Sequence, residues 1–230
     1  MKIINFLAIN LKIYYFIVVK KNTGDYDAIS LPTIGRLCSL YKVLDRLDKE
    51  NCKSTSSAEL GRLLGVGAHN IRKDISRLGV AGSSTSGYEV CKLKGLLAEK
   101  LGFEKVMRAC VVGLGRLGSA VLQHSSSDDY KIIAAFDSNV NRLETLKTTI
   151  DLFPAYQITE VVKRLGIEVG IIAVPASTAQ EVADRLVEGG VRGIVNFASV
   201  IIKPKNENVF VRNIDIGGEI RILSALLKIR

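Results

Sequence analysis

The chain has 230 residues, of which 47% are hydrophobic and 24% are charged. This length allows two compact domains, and the composition excludes an intrinsically disordered protein. Four cysteines without a CxxC pair and only two histidines indicate reduced thiols in a cytoplasmic protein and argue against a metal site. The formal net charge of +9 is uneven, because residues 1–108 carry +8 and residues 109–230 carry +1. A basic first half favours a polyanion as its partner, with nucleic acid ahead of an anionic membrane.

Residues 1–29 form an apolar extension whose composition differs from that of the rest of the chain. Ile, Lys, Asn, Phe and Tyr, which have AT-rich codons, make up 16 of the first 22 residues. We therefore interpret the stretch as translated upstream sequence and expect the functional protein to begin near Ile29. A membrane anchor is the alternative, although the apolar run is short for a bilayer and carries Lys12 near its middle.

The next segment, residues 30–90, has the pattern of a winged helix-turn-helix domain. Between residues 32 and 50 the apolar side chains recur at intervals of three and four, which predicts one long helix. Ser56 and Glu59 have the spacing of a capping box, in which each side chain binds the other's backbone N–H. A short second helix is predicted from there to Gly65, which ends it. The Gly- and Ser-rich residues 79–90 predict the small hairpin of a wing.

The sequence AHNIRKDISRL predicts a third helix in which Ile71, Ile75 and Leu78 are buried. Two short helices joined by a glycine-containing turn make a helix-turn-helix, in which this helix would read the DNA. Asp74 is expected on the buried flank, where it orients a neighbour, while the opposite face offers phosphate ligands and base-edge donors. The predicted DNA-binding residues are His69, Asn70, Arg72, Lys73, Ser76 and Arg77. The alternative is an amphipathic helix whose charged face is only solvated.

After a linker helix at residues 91–105, residues 106–216 have the pattern of a Rossmann-like domain. A buried strand is followed by a GxGxxG motif and a helix, in which the glycines permit a tight turn, the approach of a pyrophosphate and close helix packing. The predicted pyrophosphate loop comprises Gly113, Leu114, Gly115, Arg116, Leu117 and Gly118. Asp137 stands nineteen residues later, at the end of the strand IIAAF. An acid there binds a ribose 2′-hydroxyl and repels a 2′-phosphate, so NAD(H) is favoured over NADP(H).

Strands and helices then alternate, which predicts a parallel sheet covered by helices. The sequence has no nucleophile elbow, no HExxH motif and no convincing Ser/His/Asp set. About fourteen residues remain after the Rossmann-like segment, too few for a substrate domain. We therefore expect no catalytic residue and a nucleotide that is bound but not consumed.

Several stretches together resemble the Rex family of redox-sensing transcriptional repressors. They are SAELGRLLGVGAHNIRKDISRLG, VVGLGRLGSAVL, AAFD, IIAVPA, AQEVAD, GIVNFA and VRNID, in the family's order over about residues 31–230. The resemblance implies an α/β protein with an N-terminal winged helix-turn-helix domain, a C-terminal Rossmann-like parallel sheet and a terminal helix. It implies a homodimer that grips a palindromic operator in double-stranded DNA, and NADH binding that closes the dimer and releases the DNA.

The resemblance also implies where NADH or NAD+ would lie. Residues 113–118 would hold the pyrophosphate and Asp137 the adenosine ribose. Val174 and Pro175, in the loop after a buried strand, would lie near the nicotinamide.

A switch and a dimer element are implied as well. Arg36 and Asp215 are the candidate switch pair, which would tie nucleotide occupancy to the position of the winged helix. Two unrelated surface charges are the alternative. The helix at residues 217–230 would be exchanged between subunits, and a helix packed on its own subunit is the alternative.

We therefore expect a cytoplasmic DNA-binding repressor that senses the NADH/NAD+ ratio and has no membrane partner. The alternative is an enzyme, either a small NAD-dependent oxidoreductase or a protein with a CoA-binding domain. An enzyme would account for the second half but would leave the basic helix-turn-helix without a use.

Overall fold

The computed structural model describes residues 29–79, 87–123 and 129–229. Residues 1–28 of the apolar extension and residues 80–86 of the predicted wing lie outside the described residues. The chain divides into two compact units, residues 1–104 and residues 105–230.

The first unit is built mainly from helices. They are α1 (Leu31–Lys49), α2 (Ser57–Leu64), α3 (Ala68–Arg77) and α4 (Val90–Leu101). A two-residue strand, β1 (Ser54–Thr55), pairs antiparallel with β2 (Tyr88–Glu89). Leucines and isoleucines of the four helices form one core, and the predicted burial of Ile71, Ile75 and Leu78 is confirmed.

The ends of α2 show how local chemistry sets the turn. The Ser56 hydroxyl accepts a hydrogen bond of 3.1 Å from the backbone N–H of Glu59, as predicted. For the reciprocal half of the capping box, the structure shows the Glu59 carboxylate accepting a hydrogen bond of 2.8 Å from the Thr55 hydroxyl, and its bond to the backbone N–H of Ser56 stays a prediction. Gly65 takes the left-handed conformation with φ +67° and ends the helix, as predicted.

Two carboxylates of α1 hold α4 in place. The Lys94 ammonium lies 2.8 Å from Asp45 and 2.9 Å from Asp48. These hydrogen bonds raise the pKa of Lys94, and hydrogen bonds from Lys49 and Lys94 lower the pKa of Asp45. The helix expected as a linker at residues 91–105 therefore packs within the first unit, where it ends at Leu101.

The second unit is built on a six-stranded parallel sheet. Its strands are β3 (Met107–Val112), β4 (Tyr130–Asp137), β5 (Asp151–Pro154), β6 (Val169–Ile172), β7 (Gly193–Asn196) and β8 (Phe210–Asn213). Their order across the sheet is β5-β4-β3-β6-β7-β8, and every pairing is parallel. The order reverses between β3 and β6, which is the point at which such sheets bind ligands.

Helices cover both faces of this sheet. They are α5 (Arg116–Gln123), α6 (Val140–Thr145), α7 (Ile158–Leu165) and α8 (Ala176–Gly189), with a 3-10 turn at Ala155–Gln157. Alternate residues of β3 enter two separate cores, since Cys110 packs with α7 and α8 and Val111 packs with α5. Burial raises the pKa of the Cys110 thiol to about 12, so it stays a neutral core residue.

An apolar helix, α9 (Ile216–Ile229), follows the sheet, and none of its described residues is buried. Its exposed large apolar side chains are Ile216, Ile220, Ile222, Leu223, Leu226, Leu227 and Ile229. An exposed apolar patch of this kind is typical of an interaction surface.

Two features are absent from residues 29–79, 87–123 and 129–229. No helix there is long and apolar enough to cross a membrane. No group of three His, Cys, Asp or Glu side chains there could hold a metal ion.

Candidate nucleotide-binding loop and DNA-binding surface

The loop between β3 and α5 requires two of its glycines for its own packing. Gly113 has φ +94°, and its N–H donates a hydrogen bond of 2.8 Å to the carbonyl oxygen of Phe136. A Cβ on Gly113 would lie 2.6 Å from the carbonyl oxygen of Ala173. A Cβ on Gly118 would collide with the carbonyl oxygen of Gly113. Helix α5 can therefore start this close to the sheet only with glycine at both positions.

Gly115 differs from the other two glycines. A Cβ there would meet no atom of the described residues within 4 Å, and the residue is partly exposed. The packing of the protein itself does not require this glycine, which fits a backbone position left open for a ligand. Arg116 and Leu117 are exposed at the start of α5, where backbone N–H groups lack intrahelical partners, and Leu114 is buried. Such N–H groups bind phosphate in folds of this type.

Asp137 lies at the end of β4 with 4% of its surface exposed. Its Oδ2 accepts a hydrogen bond of 2.7 Å from the N–H of Leu114, and its Oδ1 accepts one of 2.7 Å from the N–H of Asn139. The half-exposed guanidinium of Arg142 lies 3.3 Å from Oδ2. The carboxylate thus fastens the glycine loop to the turn after β4. Among the described residues Oδ1 has this one donor, which leaves an acceptor position for another, such as a ribose hydroxyl.

Val174 and Pro175 form the turn from β6 into α8, beside the glycine loop. The N–H of Ala173 donates a hydrogen bond of 2.8 Å to the carbonyl oxygen of Val112. Cγ1 of Val174 is 2.8 Å from the position of a Cβ on Gly113. The loops after the two central strands therefore touch where the strand order reverses. The predicted nicotinamide contact of Val174 and Pro175 stays a prediction.

A pair of asparagines, of which Asn196 is buried and Asn213 is partly exposed, lies at the carboxyl ends of β7 and β8. Asn196, fully buried at the end of β7, donates from Nδ2 to Oδ1 of Asn213 at 2.8 Å and to the carbonyl oxygen of Val200 at 2.7 Å. Its Oδ1 accepts a hydrogen bond of 2.9 Å from the N–H of Ala198. The pair fixes the loop after β7 and the end of β8, two residues before Asp215. Sequence reasoning missed it, although an asparagine at each of two strand ends was a signal.

The structure places the predicted DNA-binding residues on one exposed face of α3, opposite the buried Ile71 and Ile75. These residues are His69, Asn70, Arg72, Lys73, Ser76 and Arg77. Arg72 also donates a hydrogen bond of 2.9 Å to the Ser57 hydroxyl at the start of α2. The one acidic residue of α3, Asp74, is buried. The exposed face of α3 therefore carries cations and no acid, as a DNA-binding surface requires.

Asp74 orients a neighbour, as predicted, and that neighbour is Arg36 of α1. Nε of Arg36 lies 2.7 Å from Oδ2, and Nη2 lies 3.0 Å from Oδ1, which makes a bidentate pair. The hydrogen bond to Asp74 raises the pKa of Arg36. Asp215 is paired with Arg221 at 3.1 Å. Each member of the predicted switch pair thus has another partner in its own unit, and the pairing of Arg36 with Asp215 stays a prediction.

Two family models match separate parts of the chain. The model described as "Putative DNA-binding protein N-terminus" matches residues 28–76, and the model described as "CoA binding domain" matches residues 104–200. The first match covers α1, α2 and most of α3, and the second covers the sheet through β7.

Curated relatives match most of the chain. The redox-sensing transcriptional repressor Rex 1 of Thermotoga maritima is 38% identical over 201 residues, which cover 86% of this chain and 95% of the relative. The Rex repressor of Pelotomaculum thermopropionicum is 31% identical over 201 residues, which cover 86% of this chain and 94% of the relative. The chain belongs to the Rex family.

Solved Rex-family structures share its fold. The structure of RSP in complex with beta-NAD+ and operator DNA has a TM-score of 0.80 and 28% identity, and the match covers 87% of this chain and 93% of that one. The structure of RSP in complex with beta-NADH has a TM-score of 0.76 and 28% identity, with 87% and 95% covered. The predicted fold class, a helix-turn-helix domain followed by a Rossmann-like sheet, is confirmed.

Proposed function

We propose that this Rex-family protein is a transcriptional repressor that binds operator DNA as a homodimer and senses the NADH/NAD+ ratio, with NADH releasing it from DNA. The observation behind this proposal is that one chain contains two features. The exposed face of α3 carries cations and no acid, and the GxGxxG loop is open at Gly115. One related RSP structure is a complex with beta-NAD+ and operator DNA, and another is a complex with beta-NADH.

The nucleotide would be held along the carboxyl edge of the sheet. Backbone N–H groups of residues 113–118 would bind the pyrophosphate, which can approach closely only because Gly115 has no side chain. Oδ1 of Asp137 would accept a hydrogen bond from the adenosine ribose. Val174 and Pro175 would lie against the nicotinamide, the end at which NADH and NAD+ differ by a hydride.

The protein would read the nucleotide and not consume it. Among the described residues of the second unit, the buried polar side chains are Asp137 and Asn196. Both side chains form hydrogen bonds with backbone groups of neighbouring loops and so stabilise the shape of the site. Neither is placed as a free acid or base, which favours a sensor over an oxidoreductase. A repressor acting on operator DNA would work in the cytoplasm.

The switch would be an exchange of ion pairs. In the structure Arg36 is bound by Asp74, and Asp215 is bound by Arg221. We propose that Arg36 pairs with Asp215 in one of the two states of the dimer, so that each nucleotide favours the state whose contacts suit it. Release of Arg36 from Asp74 would then act directly on the recognition helix.

The dimer would be built with α9. Its row of exposed isoleucines and leucines needs an apolar partner surface, and exchange of the helix between two subunits supplies one. Two recognition helices related by a two-fold axis would then match the two halves of a palindromic operator.

Fluorescence anisotropy of a labelled duplex from the gene's own promoter tests the proposal. Protein from residue 29 onward is added at fixed salt, and NADH and NAD+ are then titrated separately. Loss of binding with NADH but not with NAD+ is the expected result. Tight binding that ignores both nucleotides would leave a DNA-binding protein that senses another ligand. A substrate-dependent absorbance change at the nicotinamide band would favour the enzyme.

A further inference from the structure

Two arginines from different helices converge on Thr33 and Asp74. The Thr33 hydroxyl accepts hydrogen bonds of 3.1 Å from Nη2 of Arg36 and 3.2 Å from Nη1 of Arg77. Asp74 is bound bidentately by Arg36, and Nη1 of Arg77 lies 4.0 Å from its Oδ1. Thr33 lies on α1 and Asp74 on α3, so the network joins the first helix to the recognition helix.

Thr33 and Asp74 are buried, whereas the Arg77 side chain that they bind is partly exposed. Thr33 is 2% exposed and the Asp74 side chain is 3% exposed, whereas the Arg77 side chain is 43% exposed. A carboxylate this deeply buried is stable only with compensating cations, so the contacts that it makes are strongly favoured. Arg77 thus has one end of its guanidinium fixed by buried groups and the rest at the surface.

The fixed end is a single atom. Nη1 of Arg77 is the atom that lies near both Thr33 and Asp74. Nε and Nη2 of Arg77 have no hydrogen-bond or ion-pair partner among the described residues. A free arginine side chain samples many rotamers and loses that freedom when it binds. Holding Nη1 removes part of this cost in advance and leaves two nitrogens to meet a phosphate or a base edge.

We propose that Asp74 and Thr33 are positioning residues for operator recognition, which hold Arg77 and the recognition helix against α1 without touching DNA. The inference rests on the proposed function and deepens it. It explains why an acid stands in the helix that reads a polyanion. Its negative charge is buried behind the DNA-binding face, where it orders two cations.

The direction in which one substitution changes operator affinity distinguishes a positioning role from a purely electrostatic one. Asp74→Asn removes a negative charge close to the DNA-binding face, and electrostatics alone predicts tighter binding to every DNA. Loss of positioning predicts weaker binding to the operator and little change on unrelated DNA. The two explanations therefore predict opposite changes in operator affinity.

The experiment measures anisotropy with the promoter duplex and with a scrambled duplex of equal length and composition. For Asp74→Asn we expect operator affinity to fall about tenfold while scrambled-duplex affinity changes less than about twofold. Thr33→Val, which leaves every charge in place, should move operator affinity in the same direction by a smaller factor. Asp48→Asn is the matched control, because it makes the same charge change on α1 beside Lys94 and should preserve the operator-to-scrambled ratio.

A double-mutant cycle with Arg77→Ala tests the route. If Asp74 acts through Arg77, Asp74→Asn should cost clearly less operator affinity in the Arg77→Ala background than in the wild type. Additive losses, or equal tightening on both duplexes, would overturn the proposal. If circular dichroism shows that Asp74→Asn is unfolded, the test uses Thr33→Val instead. An unchanged ratio of operator affinity to scrambled-duplex affinity in Thr33→Val would then overturn the proposal. If the wild-type protein binds both duplexes equally, the proposed function itself is wrong. If the wild type prefers the operator and both variants keep the same preference, only this inference is wrong.

Discussion

The backbone N–H of Leu114 donates a hydrogen bond of 2.7 Å to the carboxylate of Asp137, which joins the glycine loop to the end of β4. The acid expected as a ribose ligand therefore also holds the loop that would bind the pyrophosphate. Asp137→Asn should lower NADH affinity about tenfold, because one carboxylate oxygen becomes an NH₂ donor that opposes a backbone N–H. The fluorescence of NADH itself measures this, since the chain contains no tryptophan.

The same variant should affect NADPH differently. Loss of the negative charge removes a repulsion on the 2′-phosphate, so the preference for NADH over NADPH should shrink. Asp151→Asn, at the exposed start of β5, makes the same charge change away from the loop and serves as the control. An unchanged NADH affinity in Asp137→Asn would remove Asp137 from the nucleotide site.

Gly115 and Gly118 should fail in different ways when each is changed to alanine. Gly115→Ala meets open space, so its melting temperature should stay near that of the wild type while NADH affinity falls at least tenfold, on the order of 1.4 kcal/mol. Gly118→Ala drives a methyl group into the Gly113 carbonyl, so its free energy of unfolding should fall by about 3 kcal/mol. Thermal unfolding and NADH titration of both variants check this. Full NADH affinity in Gly115→Ala would show that no pyrophosphate lies against this loop.

Several features could be predicted from the sequence because each depends only on residues that are close together along the chain. The GxGxxG spacing, the Gly65 helix end and the amphipathic pattern of α3 are local, and local chemistry determined all three. The strand alternation also predicted a parallel sheet with helices on its faces.

Contacts between distant residues were beyond such reasoning. Asp74 and Arg36 are 38 positions apart, and Asn196 and Asn213 are 17 apart. The sequence predicted that Asp74 orients a neighbour but could not identify Arg36 as that neighbour. The Thr33 hydroxyl gave no signal, because a threonine in the first turn of a helix is common and its burial depends on how α1 meets α3.

Arg72 and Lys73 should contribute to DNA binding through phosphate contacts. Changing either to alanine should weaken binding to operator and scrambled duplexes alike and should reduce the salt slope of log K by about one unit. Lys163→Ala, an exposed cation on α7, is the control and should leave the slope unchanged. Equal slopes for Arg72→Ala and wild type would mean that Arg72 only binds Ser57 and is otherwise solvated.

Arg36 and Asp215 should couple NADH binding to DNA release. Arg36→Ala and Asp215→Asn should each keep NADH affinity within about threefold of wild type, because neither residue lies in the glycine loop. The ratio of operator affinities without and with NADH should move toward one in both variants, since a coupling free energy of typically 1–3 kcal/mol is lost. Anisotropy at saturating NADH measures this ratio. Unchanged coupling in Asp215→Asn would leave Asp215 as the partner of Arg221 alone.

Helix α9 should hold the dimer together. Leu226→Asp places a charge in the exposed apolar row, and because each buried leucine contributes about 1.5–3 kcal/mol, the dimer should dissociate at concentrations where the wild type does not. Sedimentation velocity should show a monomer that still binds NADH through its own glycine loop but no longer binds a palindromic operator tightly, since one recognition helix reads one half-site. Lys228→Glu, a charge change on the same helix outside the apolar row, should stay dimeric. A dimeric Leu226→Asp variant with full operator affinity would assign the dimer contact to another surface and leave α9 as a helix of its own subunit.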